Sequence, residues 1–447
     1  MSSISRRTLL QTVGGTGLAA VAGAASAEVL AADRSAAAGS SFAREPVFTF
    51  VSMPDFFNGD VADLSLLPGW DGGMNSINPT WTAAIDQCLG VMAGHTPDAV
   101  FLAGDMVEGR WNIDSDGRQL FGPVSQGTDP DSVAQCEAAI KTAGDLHYAY
   151  GAELFASRGL PLYPAIGDHE LLDDRPAPLN DRWSPSGYLK GGTPDNRYYL
   201  VDQCKSVWAD HFTRPGGIPR FERRPIGVGS EFTAYAESFA DALTLITVDT
   251  FMKRTQGVRL GVFQAQLSWL RHEIRRAKQR GHVVVVQGHI PIMTPTRYLA
   301  SGLLRVPEGR QSELYRVLDS EGVDFYFCGE VHDTTVLQHR RHAPVQISHG
   351  CIFRLGFSFL VGHLYPDRRL VLDLYEIPLA RTSLELGMWA SDVRKRQPTL
   401  VEYGGPRHRG QLVHHRGEVV TRTRKLGHYD PRHDQYHVRP EVQIVDA

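Results

Sequence analysis

The chain has 447 residues, 42% of them hydrophobic, enough for one large core or two smaller ones. A formal net charge of −4 gives no reason to expect a general nucleic-acid or polyanion binder. No stretch reaches the roughly 18 consecutive apolar residues of a membrane span, so no stable membrane anchor is expected in the mature protein.

At the N-terminus, Ser5-Arg6-Arg7-Thr8-Leu9-Leu10 is a twin-arginine pattern. A weakly apolar Gly/Ala run follows from Thr12 to Ala25, and Ala25-Ser26-Ala27 offers a small-x-small cleavage site. The order predicts a signal peptide over residues 1–27, recognition by the twin-arginine export machinery, and a periplasmic or secreted product. That route carries folded proteins, so a cofactor can be inserted before export. Residues 28–45 are Ala/Ser-rich and are expected to be a linker. The five cysteines are scattered without CxxC spacing, which argues against a thiolate zinc site and for plain buried residues.

From residue 47 onward, apolar runs and helical periodicities alternate. Val47–Ser52 is a predicted strand and 79–94 a helix, with Trp81, Ile85, Cys88, Leu89 and Met92 at helical spacing. A strand follows over 99–103, then a Gly/Asp/Ser/Pro-rich loop over 107–131 and a helix over 132–158. Pro164-Ala165-Ile166 leads into the next motif, 171–196 is irregular, 198–212 is helical, and 213–230 is a loop with a basic cluster. Paired strands are expected at 233–239 and 243–248, and a helix at 264–279. The aliphatic run 283–287 has the composition of a strand covered on both faces. A helix at 310–320 and a strand at 324–328 precede short strands near 335–339, 345–348, 357–362 and 369–376. This pattern predicts an α/β sandwich with two central sheets and helices outside, over residues 46–380. Residues 381–447 form a polar extension carrying six of the 18 histidines, which could add strands at an edge.

Five short motifs close five of these strands: Met53-Pro54-Asp55, Gly104-Asp105, Gly167-Asp168-His169-Glu170, Gly288-His289 and Gly329-Glu330-Val331-His332. Carboxylates and imidazoles at several strand ends can converge on one point. Two cations about 3.5–4 Å apart would there acidify a shared water and clamp phosphoryl oxygens. A carboxylate is the natural bridge because it has two acceptor oxygens, and a neighbouring His can donate a proton near neutral pH.

The order of these motifs resembles that of the calcineurin-like metallophosphoesterases, the superfamily that includes the purple acid phosphatases, over roughly residues 46–376. Asp249-Thr250, then Gln266-Leu267 with Trp269-Leu270, then Gly288-His289 with Pro291 match the central stretch of that family. The resemblance implies a four-layer αββα sandwich, with two central mixed β-sheets flanked by helices and two metal ions at the strand ends. One ion would take Asp55, Asp105 and His332. The other would take Asp105, Asp168, His289 and Glu330, with Asp105 shared. His169 would bind the phosphate and act as general acid, while a hydroxide held between the ions attacks phosphorus.

Three departures from the family pattern stand out. Phe57 occupies the place of the usual His, leaving Asn58 or Asp60 as replacement ligands. Asp168 stands where Asn is usual, and Glu330 where the first His of the last motif is usual. The ligand set therefore has four carboxylates and two imidazoles, which favours Mn, Fe or Ca over Zn. Around this centre, Arg110 is a candidate for binding substrate at the rim and Trp111 for stacking on a substrate ring. The basic cluster Arg214, Arg220, Arg223 and Arg224 is a candidate for phosphate recognition. The expected partner is a small phosphoester, with no nucleic acid. The alternative is a non-catalytic metal-binding or interaction module on the same fold, for which the loss of His at position 57 is the motivating feature.

Overall fold

The computed structural model describes residues 45–53, 55, 79–107, 109, 111–112, 119, 121–172, 183–187, 194–293, 304–331, 334–349, 356–381, 401–403, 405–423 and 442–444. The expected signal peptide and nearly all of the expected linker lie outside these residues. None of the described helices is long and apolar enough to cross a membrane.

Two large mixed sheets form the centre. In the first the strand order is β16-β15-β13-β12-β1-β2-β3, with β14 beside β13. These strands are β1 (Phe48–Met53), β2 (Ala99–Leu102), β3 (Leu162–Pro164), β12 (Gly356–Leu364), β13 (Leu370–Arg381), β14 (Val401–Tyr403), β15 (Arg407–His415) and β16 (Glu418–Arg422). The second runs β17-β10-β11-β9-β8-β5-β4. Its strands are β4 (Tyr235–Phe239), β5 (Leu243–Thr247), β8 (Val283–Gln287), β9 (Phe325–Cys328), β10 (Thr334–Gln338), β11 (Val345–His349) and β17 (Val442–Ile444). A separate hairpin joins β6 (Phe251–Arg254) to β7 (Gly257–Leu260).

Period-two alternation explains the layering. Phe48 and Phe50 of β1, Phe101 of β2, Leu243 and Leu245 of β5, and Phe325 and Phe327 of β9 share one buried cluster drawn from strands of both sheets. The Phe50 and Phe327 rings lie 6.3 Å apart across that layer. The intervening residues Val51, Met53, Val100, Leu102, Val284 and Val286 belong to the cluster shared with the helices. Those helices are α1 (Pro79–Gly94), α2 (Pro130–Ala156), α3 (Arg197–Phe212), α4 (Gln264–Gln279) and α5 (Glu313–Ser320). On the first sheet's side α2 packs on β3 and on α3, and on the second α4 packs on β5 and β8. The result is the expected α/β sandwich of two mixed sheets between helices.

Parallel pairing sets the direction that matters for function. β1, β2 and β3 are mutually parallel, as are β5, β8 and β9. Chain segments leaving the carboxyl ends of parallel strands are where open α/β sheets gather ligands. Two elements differ from the expectations drawn from the sequence. The β6–β7 hairpin occupies a stretch to which the sequence pattern assigns no element, because its half-buried strands carry Lys253, Arg254 and Arg259. Helix α5 starts at Glu313 because Ser312 caps it, accepting from Tyr315 N at 3.1 Å, and a short 3-10 turn occupies 309–311. As expected, the polar C-terminal stretch adds strands at sheet edges, β15 and β16 at the edge of the first sheet and β17 at the edge of the second, with β14 beside β13.

Candidate metal centre

The segments after β2, β3, β8 and β9 bring Asp105, Asp168, His289 and Glu330 together. One ligand atom from each lies within 4.8 Å of all the others, and all four residues are buried. His289 Nε2 is 2.7 Å from Asp168 Oδ1, 3.2 Å from Asp105 Oδ2 and 3.8 Å from Glu330 Oε2. Asp55, after β1, places Oδ1 3.8 Å from His289 Nδ1 and accepts a hydrogen bond from Glu330 N at 3.3 Å. Both sheets thus contribute: Asp55, Asp105 and Asp168 from the first, His289 and Glu330 from the second.

Local backbone makes the convergence possible. Asp105 and Glu330 sit at φ 55° and 64°, in the left-handed region that Asp tolerates and Glu rarely adopts. Such a conformation costs on the order of 1–3 kcal/mol and persists where surrounding structure enforces it. Gly104 and Gly329 flank the imidazole. A Cβ on Gly104 would lie 2.6 Å from His289 Nδ1, and one on Gly329 would lie 2.7 Å from the same atom. A methyl group at either place would push the ring out of the site.

The tautomer of His289 follows from its neighbours. Nδ1 is 2.8 Å from Ala103 O, and a carbonyl only accepts, so Nδ1 carries a proton and donates. Nε2 then faces the carboxylates, and among the described residues neither it nor Asp105 Oδ2 has a hydrogen-bond partner. Burial lowers the affinity of His289 for a second proton, but Asp105, Asp168 and Glu330 outweigh burial and hold its pKa well above the usual imidazole value. Burial pushes Asp55 up to about 7, with Glu330 and Asp168 adding to the effect and His289 opposing it. Asp105 and Glu330 rise for the same first reason, burial, reinforced by Asp168. Several carboxylates this close in a dry pocket repel one another, and a cation at their centre removes that cost. The residues therefore fit a metal ion: three carboxylate ligands and one imidazole, whose outward nitrogen is fixed by a backbone carbonyl.

His169 lies beside this cluster and outside it. Its Nε2 is 3.9 Å from Asp105 Oδ2, its side chain is 17% exposed, and its backbone N donates to Asp105 Oδ1 at 3.1 Å. Asn58, Asp60, Arg110 and His332, together with Phe57, lie outside the described residues.

Two of the peripheral candidates are corrected by the structure. Trp111 is 1% exposed and its ring stacks on His147, 5.5 Å between centroids, so it is core and unavailable to a substrate. The basic cluster is tied up structurally. Arg214 Nε binds Asp210 at 3.0 Å, and Arg223 Nε binds Glu273 at 2.8 Å. Arg224 lies 3.5 Å from Glu231, and Arg220 lies over the Tyr163 ring at 4.9 Å. These partners belong mostly to other elements, which the local sequence does not reveal. Asp249, in the central stretch, is held by Lys205 at 2.6 Å and Thr233 at 2.5 Å and serves the scaffold. Cys88, Cys136, Cys204 and Cys328 are buried free thiols, as expected, and Cys351 lies outside the described residues.

One residue of the site has no role in the sequence pattern. Glu170, fully buried, accepts hydrogen bonds from four backbone N–H groups: Asp105 at 3.0 Å, Met106 at 2.5 Å, Val107 at 3.3 Å and Gly167 at 2.6 Å. Its only signal is its place at the end of the third motif.

No protein-family model matches the chain, and no curated protein matches it. Solved structures similar to it include a dimetal phosphatase from Danio rerio, at 14% identity and TM-score 0.42 over 73% of this chain and 96% of that one. PhoD is similar at 11% identity and TM-score 0.48, over 91% and 75%. GAP50, the anchor in the inner membrane complex of Plasmodium, is similar at 12% identity and TM-score 0.35, over 74% and 84%. These are likenesses only, and the chemistry of the site rests on its side chains.

Proposed function

We propose that this chain is an exported, metal-dependent phosphoesterase of the calcineurin-like type that acts on a small phosphoester. The observation that carries the reading is the buried convergence of Asp105, Asp168, His289 and Glu330 within 4.8 Å, with His169 alongside. Two metal ions, when bound, would supply Lewis acidity toward phosphoryl oxygens and an acidified water as nucleophile. Asp105 would be the shared ligand, and its Oδ2 facing His289 Nε2 at 3.2 Å supports this reading. The second half of the ligand set would take Asp55, with His332 and Asn58 or Asp60, which lie outside the described residues, as the further candidates. His289 presents Nε2 because Ala103 holds its other nitrogen. His169, partly open to solvent, would bind the phosphoryl group and pass its proton to the leaving oxygen. The carboxylate-rich set favours Mn, Fe or Ca over Zn, because hard cations prefer oxygen ligands.

The test is hydrolysis of aryl phosphate mono- and diesters with added Mn²⁺, Ca²⁺ or iron. Turnover is expected in the wild type, with losses of at least about 10³-fold in Asp105→Asn and His289→Ala, since metal activation supplies most of the rate gain. Wild-type turnover in Asp105→Asn would refute the mechanism. Metal binding without turnover on any ester would favour a non-catalytic module on the same fold.

A further inference from the structure

We propose that Glu170 is a positioning residue, whose carboxylate locks the loop after β2 onto the loop after β3 and so fixes Asp105 relative to His169. For the metal ligand Asp105 the inference needs only metal binding. For His169 it rests on the phosphoesterase reading above.

The geometry is specific. Glu170 follows His169 directly in the 3-10 turn His169–Leu171. Its Oε2 accepts from Gly167 N at 2.6 Å and from Asp105 N at 3.0 Å, and its Oε1 accepts from Met106 N at 2.5 Å and Val107 N at 3.3 Å. The first of these donors precedes Asp168, and the second belongs to Asp105 itself. The link to Asp105 spans 65 positions of chain and is buried. The loops meet at two further points. His169 N donates to Asp105 Oδ1, and Gly109 packs so closely that a Cβ there would collide with His169 O.

A carboxylate suits this place for a reason of counting. Four N–H donors need two oxygens, each able to accept twice. Glutamine offers one oxygen, and its NH2 would face two of the donors. Aspartate keeps both oxygens but is one methylene short of spanning the loops. Asp105 needs such a clamp, because it lies beyond the end of β2 and its N–H is outside the strand pairing. Removing the clamp frees Asp105 and His169 together, unlike an ordinary packing defect.

The experiment uses the full chain as wild type, E170Q and E170D. Mn²⁺ affinity is measured by calorimetry, and rates are compared on phosphoesters with good and poor leaving groups. We expect both variants to lose about tenfold or more in Mn²⁺ affinity, the range seen when an outer-shell partner is removed. The rate with poor leaving groups should fall more than the rate with good ones, because a displaced His169 no longer protonates the departing oxygen. Wild-type Mn²⁺ affinity in a folded variant overturns the proposal, and an unchanged leaving-group dependence overturns its His169 half. Should neither variant fold, hydrogen exchange on the metal-free wild type decides. The amides of 105–107 are expected to be strongly protected, and exchange at the rate of open loop overturns the proposal. A wild type that binds Mn²⁺ but cleaves no phosphoester sinks the function proposed above, while weaker Mn²⁺ binding by E170Q would still support the positioning.

Discussion

His289 and Asp55 show how the site stores electrostatic cost. Asp55 has no exposed surface, and burial, the largest influence, takes its pKa from 3.8 to about 7. The sign of the consequence follows from linkage. Between those values the metal-free folded chain holds a proton that the unfolded chain releases, so this group stabilises the fold below about pH 4, and that contribution is lost as pH rises through about 7. A bound cation reverses the trend, because it competes with the proton for the same oxygens. Thermal melts with chelator should fall across this interval, while the gain on adding Mn²⁺ should grow. A Mn²⁺-induced gain that is flat from about pH 5 to pH 8 would contradict the assignment of Asp55 to the site.

The clustering of Asp105, Asp168, His289 and Glu330 is legible in the sequence because each follows an apolar run, where strand chemistry and motif coincide. What the sequence hides is long-range pairing. Nothing near Arg223 names Glu273, 50 positions away, and nothing near Asp105 names Glu170. Trp111, beside the second motif, is equally compatible with core and with rim until its stacking partner His147 is known.

At the scale of elements, strands β1, β2, β5, β8 and β9 read clearly because every residue in them is buried. Helices α1 and α4 occupy the predicted ranges. The β6–β7 hairpin does not read, because alternation is weak where both faces are half exposed. This hairpin is anchored by a buried ion pair. Lys205 of α3 binds Asp249 Oδ2 at 2.6 Å and Phe251 O at 2.5 Å, just where the chain turns from β5 into β6. Phe251 in turn lies 6.4 Å from the His289 ring. Lys205→Ala would leave Asp249 buried without its cation, at a cost of about 3–5 kcal/mol. Urea unfolding should show that loss, and a change below about 1 kcal/mol would mean that the pair contributes little to stability.

At the scale of the whole molecule, two sheets meet through an aromatic and aliphatic layer and bring the residues that follow β1, β2, β3, β8 and β9 to one region. Composition and periodicity reveal the layers. They indicate edge strands in the C-terminal stretch but not their bounds, since β15 and β16 carry exposed and half-buried polar residues. Their place is set by pairing with β13 and with each other. The tail also links the layers: His414 of β15 lies 3.4 Å from Asp324, at the start of β9. The proposed function requires that the carboxylate-rich pocket around Asp105 can hold two cations. Anomalous diffraction from crystals grown with Mn²⁺ tests it most directly. Two peaks about 3.5–4 Å apart are expected beside the Asp105 carboxylate, one of them in contact with Asp168, His289 and Glu330. A map with no peak between those four residues would contradict it.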